Sequence, residues 1–405
     1  MPRKIRTLNL VYSLPDPPFN GYDLRHLNLM KNLADRVDQT VLCRLMKPLS
    51  PSQEALLESL PYEVRTVLIP RPTSMQKICK GLRFLPTRFP VMAGGWYFCE
   101  MEKALREILA EKEFDYIVLE GIWNAVYWPV IRKANAKTVL NLYDLEEGLL
   151  QRQADVLPFG LKKWIYSNGA RRMAALEKTL PREADLIWTV SDKERQELLG
   201  HTPDLPVFLA PGGVDCDAIQ PLPPPDESSK EILSVGSLQY LPNVDGAQFM
   251  SNEVMPEILK LCPEAVLQIV GRGPDERTLR LHNPPSFNVV GEVDELEPWY
   301  RKCRLSIVPL RSGGGTRLKI LEAMAYGRPV VSTSIGAEGI DWEHGKNILI
   351  ADTPQELAEA VALILSSPDV AHSIAAEGRK LVEERYAWKS IADILYDGYV
   401  RLAGN

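Results

Sequence analysis

The sequence of 405 residues is short of several things. It has no run of about 18 apolar residues, the length a helix needs to cross a bilayer, so no membrane span is expected. Its six cysteines, Cys43, Cys79, Cys99, Cys216, Cys262 and Cys303, are far apart. No pair has zinc-ribbon or thioredoxin spacing, which leaves free thiols in a reducing compartment. An excess of positive charge is also lacking: the net charge is −6, against a broad nucleic-acid-binding surface. The amino-terminal stretch MPRKIRTLNLVYSLP has basic residues and a short apolar strand, without the apolar core and cleavage site of a signal peptide. A cytoplasmic location is expected. No long internal repeat is visible.

What is there fits a globular α/β protein. The chain is 45% hydrophobic and 25% charged, and its length suits two domains. Strands are expected at 4–12, 40–45, 63–69, 114–119, 137–143, 184–190 and 207–210, then at 231–235, 265–270, 287–290, 304–309 and 347–350. Helical patterns lie between them. Residues 211–230, ending in LPPPDESSK, have no helical or alternating pattern and read as a linker. Two runs of strand–helix alternation imply two doubly wound sheets, with ligands beyond the carboxyl ends of the strands. Gly21, Asp144, Gly236, Gly271, Gly291 and Gly313 all follow expected strands.

The most informative stretch is Pro309 to Thr333, PLRSGGGTRLKILEAMAYGRPVVST. It reads as a strand end, a glycine loop, a helix and a second strand. Gly313, Gly314 and Gly315 let a ligand approach the backbone. Thr316 is a suitable N-cap, and Gly327 and Pro329 form a stop signal. The loop and the positive helix end suit an anion such as a phosphate. Gly315, Lys319 and Glu322 share one helical face, with Glu322 roughly 9–10 Å along the axis from the loop. That is about the span from a diphosphate to the ribose hydroxyls of a nucleotide. A carboxylate suits two hydroxyls, and Arg317 and Lys319 can neutralise phosphate. The alternative is a surface ion pair between Lys319 and Glu322. Further on, Gly271, Arg272, Gly273 and Pro274 lack the third glycine of an NAD fingerprint.

This stretch resembles the donor-site segment of glycosyltransferase family 4, retaining enzymes of the GT-B fold. That family usually has two glutamates eight positions apart. The second matches Glu322, followed by Ala323, Met324 and Ala325; the first would fall on Gly314 and is missing. The GGGTRLKILEAMA form is similar to a subgroup in which backbone N–H groups and Arg or Lys replace that glutamate. The resemblance covers most of the second half, Gly236 to about Trp388, and is thinner before it. It implies two Rossmann-like domains facing a central cleft. An acceptor-side domain at 1–210 and a linker at 211–230 would precede a nucleotide-sugar domain at 231–386. A final helix at 387–405 would cross back.

The resemblance also implies roles. Gly21 matches a glycine of the first loop, with Tyr22 where a second glycine is common. Arg25 and His26 open the next helix and either face the cleft or are ordinary exposed residues. Tyr143 stands where relatives often have a histidine facing the acceptor. Asp144 or Glu146 could take a proton from an acceptor hydroxyl, or both could cap the following helix. Relatives place Arg and Lys after Gly236; this sequence has neither before Gly246, so Arg317 and Lys319 would carry the diphosphate charge. Gly291 to Val293 would meet the base through backbone groups. Glu322 would hold the ribose.

The implied activity moves a sugar from a nucleoside-diphosphate sugar to an acceptor glycan, lipid or small molecule, with retention and without a metal or cofactor. An epimerase of the same fold, a sugar phosphorylase and a non-catalytic nucleotide-sugar-binding protein are alternatives. Basic and aromatic residues at 75–98 and 158–180 allow either peripheral membrane contact or a solvated face over buried aromatics.

Overall fold

The computed structural model describes residues 3–16, 21–143, 145–155, 157–201, 203–313 and 317–403. Asp144, Gly314, Gly315 and Thr316 lie outside the described residues. The chain forms two compact units, residues 1–210 with 392–405, and residues 211–391.

The first unit holds β1 (Ile5–Ser13), β2 (Val37–Leu45), β3 (Glu63–Leu68), β4 (Tyr116–Glu120), β5 (Lys137–Leu142), β6 (Leu186–Thr189) and β7 (Val207–Leu209). They pair in the order β3-β2-β1-β4-β5-β6-β7, all parallel. The register sets Thr7 beside Tyr116 and Tyr116 beside Lys137. The strand order reverses between β1 and β4, which makes their carboxyl ends a switch point. The strands read as near-continuous apolar runs because both sheet faces are covered. Ile117, Val118 and Leu119 are each fully buried.

The second unit holds β8 (Glu231–Val235), β9 (Val266–Val270), β10 (Phe287–Gly291), β11 (Leu305–Val308), β12 (Val330–Ser332) and β13 (Leu349–Ile350). Their order is β10-β9-β8-β11-β12-β13, again all parallel. Here the switch point falls between β8 and β11. The period-2 alternation of strands divides the core. Ile232, Leu267, Leu305, Ile307 and Val331 pack on one face. Leu233, Val270, Val308 and Val330 pack on the other. Each strand expected from the sequence is present, with ends shifted by a few residues at most.

Residues 211–230 are not a loose tether. The guanidinium of Arg328, almost fully buried, donates to the carbonyls of Leu222, Pro223 and Tyr300. Arg379 donates to those of Cys216 and Ile219. These bonds tie the proline-rich stretch to the second unit, because its carbonyls have no ladder of their own and take side-chain donors instead. The last helix, Trp388–Ala403, starts in the second unit and ends in the first. In the first unit Tyr399 packs against Tyr116 and Trp188, with ring centroids 4.7 and 5.1 Å away.

Candidate functional site

In the second unit the carboxyl ends of β8, β9 and β10 all terminate in glycine. Gly236 N–H donates to Val270 O at 3.0 Å, and Gly271 N–H to Gly291 O at 2.8 Å. A Cβ on Gly271 would lie 1.8 Å from Gly236 O, so no other residue fits there. Gly291 has φ +87°, a conformation that side chains rarely adopt. Val293 follows, partly buried against the adjoining core. The three sequence-predicted glycines are thus brought to one edge.

The helix Leu318–Ala325 rises from the end of the glycine loop, after β11. Ile320, Leu321, Ala323, Met324 and Ala325 bury its apolar side. Its N-cap is Arg317, with no side-chain capping bond; Thr316, the expected cap, lies outside the described residues. Lys319 Nζ donates to Asn243 Oδ1 at 2.7 Å, and Asn243 Nδ2 donates to Ser237 O at 2.8 Å. Lys319 therefore does not form the alternative surface pair with Glu322. A Cβ on Gly236 would stand 2.6 Å from Lys319 Nζ. Lys319, Asn243, Gly236, Pro309 and Leu310 line one small recess. Burial, and then the nearby Arg317, pull the Lys319 ammonium down to about 8. Arg317 is itself 5% exposed and donates to Ile335 O at 3.2 Å, with Glu338 at 4.0 Å. The Tyr240 hydroxyl is 3.1 Å from where a Cβ on Gly313 would be.

Glu322, one turn further on, faces the hydroxyl of the fully buried Tyr300, 3.5 Å from Oε2. Tyr300 stacks on Tyr326 with centroids 4.6 Å apart. Burial raises the Glu322 carboxyl to about 7, against the opposing Tyr300 bond. Two cations and a carboxylate, each partly stripped of water, thus stand along one helix. That arrangement can bind a polyanion near Lys319 and hydroxyls near Glu322.

In the first unit Gly21 begins the helix Gly21–Leu33. Arg25 and His26 are buried rather than exposed helix residues. The Arg25 guanidinium donates to Ala210 O at 2.7 Å and lies 4.8 Å from the Tyr143 ring centroid. Tyr22 bridges the group, 4.5 Å from the Tyr143 ring and stacked on His26 at 6.2 Å. Burial, then Arg25, lower the imidazole of His26 to about 3, so it is neutral. Tyr143 donates its hydroxyl to Glu120, which also accepts from Asn141 Nδ2 at 2.8 Å. Burial raises the Glu120 carboxyl. Arg25, His26 and Tyr143 come together; Glu146 starts the next helix, Glu146–Asp155. Its first N–H, that of Glu146, donates to the Glu177 carboxylate at 2.6 Å, while Asp144, also expected as a cap, lies outside the described residues.

Sequence reasoning missed Asn243, Tyr300 and Glu120. Asn243 and Tyr300 act through contacts 76 and 22 residues away in sequence. Glu120, a charged residue ending an apolar strand, was the one with a local signal. Among the described residues no group of three or more His, Cys, Asp or Glu side chains could hold a metal ion.

Solved structures share this architecture. Anabaena HepE in complex with UDP-glucose superposes with a TM-score of 0.64 at 16% identity, covering 99% of this chain and 100% of that one. Sucrose-phosphate synthase from Thermosynechococcus elongatus gives 0.67 at 18% identity, with 99% and 100% covered. The fold is GT-B. Residues 229–367, within the second GT-B unit, match the family model described as "Glycosyl transferases group 1". A protein of the cps region of Klebsiella pneumoniae is 27% identical over 41% of this chain and 45% of its own length. A Mycobacterium tuberculosis relative, GDP-mannose-dependent alpha-(1-6)-phosphatidylinositol monomannoside mannosyltransferase, is 28% identical over 46% of this chain and 54% of its own. The chain thus spans about half the length of these two. A lipopolysaccharide core biosynthesis mannosyltransferase of Rhizobium leguminosarum bv. viciae is 24% identical over 71% of this chain and 83% of its own.

Proposed function

We propose that the protein is a sugar-nucleotide glycosyltransferase of the retaining, family 4-like type, acting on an acceptor hydroxyl without a metal. The observation that carries this is the Leu318–Ala325 helix, which sets Lys319 and Glu322 one turn apart, with Lys319 beside Gly236 at the end of β8. Lys319 and Arg317 neutralise the diphosphate, and the site's low polarity strengthens that attraction. Glu322 accepts the ribose hydroxyls, steadied by Tyr300. Gly291 and Val293 meet the base through backbone groups. In the transfer the bond from the anomeric carbon to the phosphate oxygen breaks and a bond to the acceptor oxygen forms. The acceptor proton passes to the leaving diphosphate or to a carboxylate, Asp144 or Glu146.

The relatives support this reading. One is GDP-mannose-dependent and another serves lipopolysaccharide core synthesis, while HepE was solved with UDP-glucose. A nucleoside-diphosphate sugar as donor, and a glycan, lipid or small-molecule hydroxyl as acceptor, follow for this chain as part of the proposal. Arg25, His26 and Tyr143 belong to the acceptor side.

The test is thermal stability with UDP, GDP, dTDP, ADP and NAD, each in EDTA. A nucleoside diphosphate at 100 times its dissociation constant should add about 2.7 kcal/mol. A shift with NAD alone, or with none of the five, rejects the reading. The diphosphate that binds then names the donor series, and turnover of that sugar nucleotide in EDTA separates an enzyme from a binding protein. Activity that vanishes in EDTA and returns with a divalent ion would refute the metal-free route.

A further inference from the structure

The first unit carries an apolar tip that none of the described residues covers. The helices Glu146–Asp155 and Leu161–Thr179 are joined by a short turn. At its apex Phe159 is 102% exposed, Leu161 74% and Trp164 52%. Leu161 and Trp164 are three positions apart and share a helical face. An isolated exposed apolar residue needs no explanation, but three large ones at one apex do.

Cations outnumber acids in the segment that forms the tip, with the exposed Asp155 just before it. Between Leu157 and Arg172 the sequence has Lys162, Lys163, Arg171 and Arg172 and no acid, in a protein of net charge −6. The nearest acid in the chain among the described residues, Asp155, accepts from Gln151 at 2.8 Å. A second segment without acids, residues 74–98, packs beside the same helix. Arg172 ties it there by donating to the carbonyls of Phe84, Leu85, Thr87 and Phe89. That segment adds exposed Leu82 and Leu85 together with Lys80 and Arg83. Its aromatic residues Phe84, Phe89, Tyr97 and Phe98 are buried, so it offers leucines and cations rather than aromatic rings.

We propose that this face docks on a lipid surface bearing anionic headgroups, with Phe159, Leu161 and Trp164 entering the interfacial layer. The proposal stands apart from the glycosyl-transfer reading. A stable protein partner needs about 800 Å² on each side, which a tip of three apolar side chains does not supply. Apolar and aromatic groups with lysines beside them, as Lys162 and Lys163 stand between Leu161 and Trp164, suit the boundary between headgroups and acyl chains. Among the described residues no single helix is long and apolar enough to cross a membrane, so the contact is with the surface.

The test uses the full chain, sedimented with vesicles of phosphatidylcholine, with and without phosphatidylglycerol. Binding should be at least about tenfold tighter with the anionic lipid and should weaken as salt rises. The triple variant Phe159→Ser, Leu161→Ser, Trp164→Ser should lose about tenfold or more, with its melting temperature and its response to nucleoside diphosphate unchanged. As these side chains are exposed, folding is not at stake; the double variant Lys162→Glu, Lys163→Glu gives an independent arm and should also lose more than about tenfold. Equal binding to both vesicle types, no binding at low salt, or binding indifferent to the variants would overturn the proposal. So would self-association in solution that the triple variant abolishes, since a second copy would then occupy the tip.

Discussion

Glu322 is where folding and function pull apart. Burial lifts its carboxyl to about 7, against a usual 4.5. The native state therefore holds a proton more tightly than the unfolded chain, and this group's cost to stability grows as pH rises from 4.5 to about 7. Glu322→Gln should raise the stability of the free protein at pH 8 by about 1–2 kcal/mol, allowing for partial solvent screening. The same change should weaken donor binding by roughly tenfold or more, since one amide replaces two acceptors. Melting curves and calorimetric titration check the two halves separately; equal stability with unchanged affinity would remove Glu322 from the site. Lys319 makes the opposite prediction with pH. Its ammonium, drawn down to about 8, should be lost from the free protein above that pH, so donor affinity should fall as pH rises through about 8. Lys319→Arg should flatten that fall, because a guanidinium stays charged. Asn243→Ala removes the acceptor that aims Lys319, and should cost less in turnover than Lys319→Ala, whose loss should be about a hundredfold or more.

At the scale of elements, the site is a set of strand ends held close by glycine. Gly271→Ala would push a methyl group to 1.8 Å from Gly236 O. It should cost more than about 3 kcal/mol, or abolish folding of the second unit, as read by denaturant titration. A cap elsewhere in the same unit is the control. Thr353 accepts from Glu356 N–H and forms a capping box at the start of the helix Pro354–Ser366. Thr353→Ala should cost about 1 kcal/mol and leave nucleotide affinity unchanged. The Leu318–Ala325 helix has no such side-chain cap at Arg317; there the Ile320 N–H donates to the Arg317 carbonyl at 2.9 Å instead.

At the scale of the molecule, the last helix belongs to both units by connectivity. Its Tyr399 ring lies against Tyr116 and Trp188, and its carbonyl accepts from the Tyr116 hydroxyl at 2.7 Å. Tyr399→Ala should destabilise the first unit by about 3–5 kcal/mol. With two units, the melting of the variant should be followed by more than one probe, because a single two-state transition is not assured. A variant that melts like the parent by every probe would show the contact to be dispensable.

The thirteen strands among the described residues and their alternation with helices were legible in the sequence, because parallel strands buried on both faces write themselves as apolar runs. So was the helix Leu318–Ala325 that carries Lys319 and Glu322, because its apolar spacing lies within one segment. The sequence could not show that Pro211 to Lys230 is pinned by Arg328 and Arg379, since composition reports local propensity and not distant donors. Nor could it show that Arg25 and His26 are buried, or that the distant Glu177 accepts from the Glu146 N–H. Local pattern determined the elements and the position of the charged helix. Tertiary packing alone decided the partners, Asn243 for Lys319, Tyr300 for Glu322 and Tyr143 for Glu120, and with them the loss of water that shifts Lys319 and Glu322. The physical reason is that desolvation and hydrogen-bond partnership depend on which distant segments meet, and periodicity along one segment carries no record of that meeting.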